Sequence, residues 1–362
     1  MTDVVPDGLA AGIEERKRRW REFLSPGAKP GFLFFVRYPD PQDQASLTRA
    51  RPIWRGHEPE GIERKWRAYQ RACWRAAQVD DDWIPYLNMA TGTEIFAEAF
   101  GCPVYLSDQS KFVRPRIHSP GEVASLGVPE LSRSSLAYLF DMADDLQRRA
   151  GRKALFHLVD VQSPMDIAAL IWEKAEFYMG MMDAPQAVHE LSDKVRQLLA
   201  AFLDEWFGRY GSDFVAHFPD YFMSGGMTLS EDEVGAVNED QFLEFFLPHL
   251  AALSQRYGGL GMHCCANAKH QWKHFRAIPG LRLLNLVNPP TRSPESYVKE
   301  AFGYFRDDFV QFHQKWTPDG PPETWPMKYP PGSRVVIEAP AADLASAQEL
   351  ARKLQAVRQR IG

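Results

Sequence analysis

Residues 258–267, GGLGMHCCAN, gather the strongest soft donors of the chain into one short stretch. Read as a strand end, the stretch turns His263 and Cys265 to one face and Cys264 to the other. With about 3.3 Å of rise per residue, the Cβ atoms of His263 and Cys265 stand roughly 6.5–7 Å apart. One metal ion between them could take an imidazole nitrogen and a thiolate sulfur. Zinc needs at least one more protein ligand than this pair supplies. The same residues would also suit a buried strand end with two inert thiols and a hydrogen-bonded histidine.

Further polar residues fall where apolar runs end. His157 and Asp160 lie in LFHLVDVQSP, and His217, Asp220 and Tyr221 in VAHFPDYF. Asp and His at such places act as general acids or bases, or orient a substrate through hydrogen bonds. We expect Asp160, Asp220, Tyr221 and His157 to be catalytic, and His217 and Asn285 to contact a cofactor. Asn288 in LLNLVNPP and Asp108 in SDQSKF would line the same mouth. His270 and His274 are four apart but lack the glutamate of a zinc-protease motif. The glycines of SGGMT and YGGLG precede no Lys-Ser/Thr pair, so they make no phosphate loop.

These side chains can cooperate only if strands carry them to one end. Short apolar runs at 31–39, 83–89, 103–107, 153–161, 213–218, 260–265, 281–287 and 334–339 read as strands, with helical stretches between most of them. The clearest helix covers 184–210, where Val188, Leu191, Val195, Leu198, Leu199, Phe202 and Trp206 recur at steps of three or four. Asp183 and Gln186 suggest a capping box, Pro185 suits the first turn, and Gly211 suits the stop. Helices are also expected at 9–24, 62–78, 238–257, 294–315 and 341–360. Strand–helix alternation implies parallel strands with right-handed crossovers, and about eight strands close a (β/α)8 TIM barrel. Residues 1–80 are expected as an N-terminal helical extension, either a cap or a contact in a homodimer, and 81–362 as the barrel. The Pro-rich stretch 317–332 reads as a long loop.

Composition bounds the function. The 362 residues carry 42 Lys and Arg against 47 Asp and Glu, a net charge of −5, which argues against a general nucleic-acid binder. Four cysteines are too few for a disulfide scaffold of this size. The first residues lack a signal-peptide pattern, and no apolar run reaches the roughly 18 residues of a membrane span. A cytoplasmic protein without membrane partners is the expectation.

HCCAN, following EDQFLEFFLPHL, resembles the uroporphyrinogen decarboxylase superfamily, and more narrowly its cobamide-dependent methyltransferase branch. The stretches VDDDWIPYLNMATGTEIFAEAFG, DAPQAVHEL, GMTLSEDEVGAVNEDQF and RVVIEAPAADLASAQEL extend the likeness over residues 79–360. The resemblance implies a barrel that binds zinc through His263, Cys265 and a distant third cysteine. No cysteine follows Cys265, and Glu338, at the end of the last strand, is the expected replacement; an ion pair with a neighbouring arginine is its alternative role. The implied activity is methyl transfer between a corrinoid, free or on a corrinoid protein, and a small thiol. The alternatives are a metal-independent lyase acting on a carboxylated substrate and a non-catalytic barrel that binds a corrinoid or tetrapyrrole. The decarboxylase itself fits poorly, because FLFFVRYPDPQD offers Arg37 without the arginine motif that grips substrate carboxylates.

Overall fold

The computed structural model describes residues 7–39, 58–107, 110–287, 289, 294–314 and 316–361. The strands are β1 (Gly31–Arg37), β2 (Tyr86–Asn88), β3 (Val104–Ser107), β4 (Ser110–Val113), β5 (Leu155–His157), β6 (Asp213–Val215), β7 (Phe222–Ser224), β8 (Met227–Ser230), β9 (Leu260–Cys264), β10 (Leu281–Leu286), β11 (Val310–Gln311) and β12 (Arg334–Pro340). All but β3 and β4 form two arcs of a TIM-barrel wall, β1-β12-β11-β10-β9-β8 and β2-β5-β6-β7. Pairing is parallel throughout the first arc and between β2, β5 and β6. In β1, Phe32 to Val36 are all buried, as a parallel strand covered on both faces requires.

The arcs meet at two seams. On one side Gln162 bridges to Ser230, with Ser163 N–H donating to the Ser230 carbonyl (2.8 Å) and Ser230 N–H to that of Val161 (2.9 Å). On the other side, carboxylates replace part of the ladder. Phe34 N–H donates to Asp82 Oδ2 and Val36 N–H to Asp81 Oδ2, both at 3.0 Å. Asp81 and Asp82 are fully buried, and such charges must be paired. Arg75 meets Asp81 at 3.0 Å; Arg19 and Arg358 meet Asp82 at 2.7 and 2.8 Å. Residues 1–80 thus contribute β1 to the wall, and helix Asp7–Leu24 contributes Arg19 to its fastening.

Helix Pro185–Tyr210 buries every residue its periodicity marked. Its N-cap is Ala184 without a side-chain bond, so the capping box expected from Asp183 and Gln186 does not form. A reciprocal box forms instead at Asn238 and Gln241. The helix expected over 238–257 is not uniform: Phe242–Phe246 is a π turn before Leu247–Tyr257. Pro248 accounts for it, having no N–H for the residue 244 carbonyl and a ring that crowds it.

Two expected elements are corrected. The run 103–107 is no barrel strand; β3 pairs antiparallel with β4 in a separate hairpin, too soon in sequence for a crossover to a parallel partner. The helix expected over 294–315 stops at Tyr304, and Val310–Gln311 is β11, wedged between β10 and β12. Strand β8, hidden after Gly225 and Gly226, was not anticipated. Among the described residues, no helix is long and apolar enough to cross a membrane.

Candidate active site

The register of β8 on β9 sets Ser230 opposite His263. Two residues beyond Ser230, Asp232 therefore lies beside Cys265. Its Oδ1 accepts the Cys265 N–H at 2.6 Å and its Oδ2 the thiol at 3.1 Å. The ligand atoms of Asp232, His263 and Cys265 all lie within 4.8 Å of one another. Cys264 packs behind the strand, fully buried, as alternation requires.

His263 is held in one tautomer. Asn285 lies opposite it in the β9–β10 register, and Asn285 Oδ1 contacts His263 Nδ1. The Asn285 Nδ2 group donates to the Phe312 carbonyl, which can only accept. The amide oxygen therefore faces the imidazole, Nδ1 carries the proton, and Nε2 keeps its lone pair for a ligand. Burial lowers the His263 pKa, so the ring is neutral. Phe218 stands edge-on to it at 4.6 Å.

The thiol of Cys265 is pushed up to about 12, first by loss of solvent and then by the Asp232 carboxylate. Asp232 is itself steadied from behind. Asp166, capped into its helix by Ser163, accepts the N–H groups of Asp232 (2.8 Å) and Glu233 (2.9 Å).

A cavity of about 270 Å³ opens in front of Asp232 and His263, lined also by Asp160, Gln162, His217 and Ser230 among others. Asp160 is raised to about 7 by burial, then by the charges of Glu94 and Asp232. Its carboxyl lies 3.3 Å from His217 Nε2, which also meets Ser230 Oγ at 3.0 Å. Burial holds His217 neutral, its pKa far below the ordinary value. His157, lowered to about 4 by burial, donates from Nε2 to the His217 carbonyl (2.9 Å) and stacks on Tyr86. It supports His217 from behind rather than facing the cavity.

The structure thus brings together Asp160, His217, His263, Cys265 and Asn285, and it separates the others. Glu338, expected as the third ligand, is instead bound to Arg37 Nε at 2.5 Å. Asp220 takes Arg37 Nη2 (2.9 Å), Trp83 Nε1 (2.9 Å) and Tyr86 OH (3.1 Å). Burial opposes its charge, but Arg37 and these donors hold it at about 2, so Asp220 anchors the strand ends and does not exchange protons near neutrality. Tyr221, also expected to be catalytic, is fully buried inside the barrel against Gly261 and does not line this cavity. Asp108 and Asn288 lie outside the described residues. Asp232 and Asp166 went unread; the acidic run SEDE after β8 was the available signal for the first, and the Ser-Pro-x-Asp cap for the second.

A parallel barrel that gathers carboxylate, imidazole and thiol at the C-terminal ends of adjacent strands is an enzyme-type barrel with a metal-type donor set at its mouth. Residues 86–288, more than half of the chain, match the family described as Uroporphyrinogen decarboxylase (URO-D), and the chain belongs to that family. Among solved structures it is similar to a methyltransferase from Methanosarcina mazei, with a TM-score of 0.62 and 12% identity over 95% of this chain and 98% of that one. At that identity the likeness establishes the shared fold. No curated protein sequence matches.

Proposed function

We propose that this protein is a methyltransferase that holds zinc through Asp232, His263 and Cys265 and methylates a small thiol, with a methylated corrinoid as donor. The observation that carries the reading is the donor group itself. One carboxylate, one imidazole and one thiolate suit zinc, and three protein ligands, two of which line a cavity, match a catalytic rather than a structural site. Asp232 takes the place of the cysteine that the resemblance leaves missing. Zinc bound there would supply the Lewis acidity that makes a thiol nucleophilic at neutral pH.

The chain's own residues then have defined tasks. Asn285 keeps the His263 lone pair aimed at the donor group. Asp160, with its pKa near 7, is suited to accept the proton an incoming thiol must lose, and His217 holds it in place. Phe218 packs edge-on against the imidazole at the cavity wall. Methyl transfer is in keeping with the methyltransferase neighbour, and the corrinoid with the resemblance of the HCCAN stretch to the cobamide-dependent branch. Decarboxylation is disfavoured because Arg37, the arginine offered by the first strand, is already neutralised by Asp220 and Glu338.

Metal analysis tests the proposal. The reduced protein, supplied with zinc and then dialysed, should retain about one ion per chain. Asp232→Ala and His263→Ala should each lose it, while Glu338→Ala keeps it. A wild-type chain that retains no zinc would refute the proposal.

A further inference from the structure

A second cavity, of about 440 Å³, adjoins the first and shares Ala90, Thr91, Thr93 and Asp160 with it. It lies between the segment that follows β2, helix Ala137–Ala150 and strand β4, and helix Glu58–Gln78 adds Lys65 to its wall. The charged groups of this wall are unequally matched. Lys111 and Glu94 face each other at 3.6 Å and offset one another. Asp160 lies 3.3 Å from His217. Lys65 has no charged partner of this kind. It donates to the Asn88 carbonyl at 2.6 Å, a group without net charge. Among the described residues, no carboxylate pairs with it, and the charge acting on it is that of Arg64, a second cation.

Burial, then Arg64, lowers Lys65 only to about 8, which leaves it mainly a cation at neutral pH. An ammonium group has three protons to place, and the Asn88 carbonyl takes one of them. Lys65 is only partly covered and keeps surface along the cavity, where a ligand can meet it. A cation drawn from water without a counter-charge costs free energy that a bound anion offsets.

The imbalance also limits what the anion can be. One uncompensated positive charge matches a monoanion, whereas a dianion would set a second negative charge in the same wall as Glu94. Met89, Leu139 and Met142 line the cavity with aliphatic carbon and thioether sulfur, which adapt to an unbranched chain. A cavity of this volume encloses a ligand with a body of its own and is far larger than a bare ion needs.

We propose that this cavity binds an aliphatic monocarboxylate, its carboxylate on Lys65 and its alkyl chain along Met89, Leu139 and Met142. That the acid is the methyl acceptor, a thiol carried on an alkyl carboxylate, rests on the methyltransferase reading; the carboxylate site itself needs no metal.

Four probes separate the charge from the chain: hexanoate, hexanamide, hexylamine and acetate. None offers a thiol. Ligand-observed NMR titration of the metal-free full chain should show hexanoate binding about tenfold or more tighter than hexanamide or hexylamine, the effect of losing one charged hydrogen bond. Acetate, without the chain, should also bind about tenfold or more weaker than hexanoate. Lys65→Met should bring hexanoate down to the level of hexanamide and leave hexanamide itself unchanged. Should that variant fail to fold, Lys65→Gln, which keeps a donor for the Asn88 carbonyl, carries the same expectation. Hexanoate bound no tighter than hexanamide, hexylamine or acetate by the wild type, or a preference for the acid that survives the loss of the Lys65 charge, would overturn the proposal. Zinc retention without a preference for hexanoate removes this inference alone, whereas the preference without zinc retention removes the methyltransferase reading and leaves the site.

Discussion

Replacing Asp160 by asparagine should stabilise the protein, and increasingly so as pH rises. In the folded chain this carboxyl has its pKa near 7, through burial and then the charges of Glu94 and Asp232. In the unfolded chain it returns to about 3.9. The folded state therefore holds the proton more tightly, and stability falls as pH rises through the window between the two values. At about 1.4 kcal/mol per pH unit the full penalty is at most about 4 kcal/mol, roughly two-thirds of it developing between pH 5 and pH 8. The side chain is 19% exposed to the cavity, and water there reduces the effect. We expect the advantage of Asp160→Asn over wild type to grow by about 1–3 kcal/mol from pH 5 to pH 8. Urea unfolding of both proteins at the two pH values measures it as a shift in midpoint at constant slope. Comparing two pH values cancels any pH-independent change in hydrogen bonding. An advantage that stays constant or shrinks would show that Asp160 is ionised in the fold well below neutrality, and it could not then serve as the proton acceptor.

Zinc uptake should expel the Cys265 proton, since that thiol is held at about 12. Apparent affinity should then rise about tenfold per pH unit near neutrality, read by calorimetry in buffers of different ionisation enthalpy. Asn285→Ala frees the His263 tautomer and should weaken zinc binding about 10- to 100-fold in a chelator competition, with the ligands themselves intact. Arg37→Met strands Asp220 and Glu338 together without touching the donor group. A stability loss of about 2 kcal/mol with zinc retention unchanged is expected, checked by thermal unfolding and metal analysis.

His263 and Cys265 were legible because a strand's period of two is a local property, settled by counting. Asp232 was not, because its place depends on how β8 registers against β9, and a four-residue strand behind a glycine pair gives no local sign of that pairing. Asp220 and Glu338 illustrate the opposite failure. Both are strand-end carboxylates and look chemical in sequence. Their fate is decided by Arg37, about 200 and 300 residues away in the chain, which the β1–β12 register brings alongside the strand bearing Glu338. Parallel strands were readable from alternation, and the barrel from a count of about eight runs. Its exact membership was not, since two-residue β11 lies beyond any periodicity and the apolar 103–107 run mimics a wall strand.

The carboxylate seam between β1 and the segment before β2 also sets an order of assembly. Asp81, Asp82 and β1 are made early, yet the strand that pairs with β1 and the Arg358 guanidinium that meets Asp82 are made late. A chain growing on a ribosome must carry these two aspartates without Arg358, and β1 without β12. The wall closes as a ring only when residues 334–358 have emerged, so its first-made strand is among the last to be fully clasped.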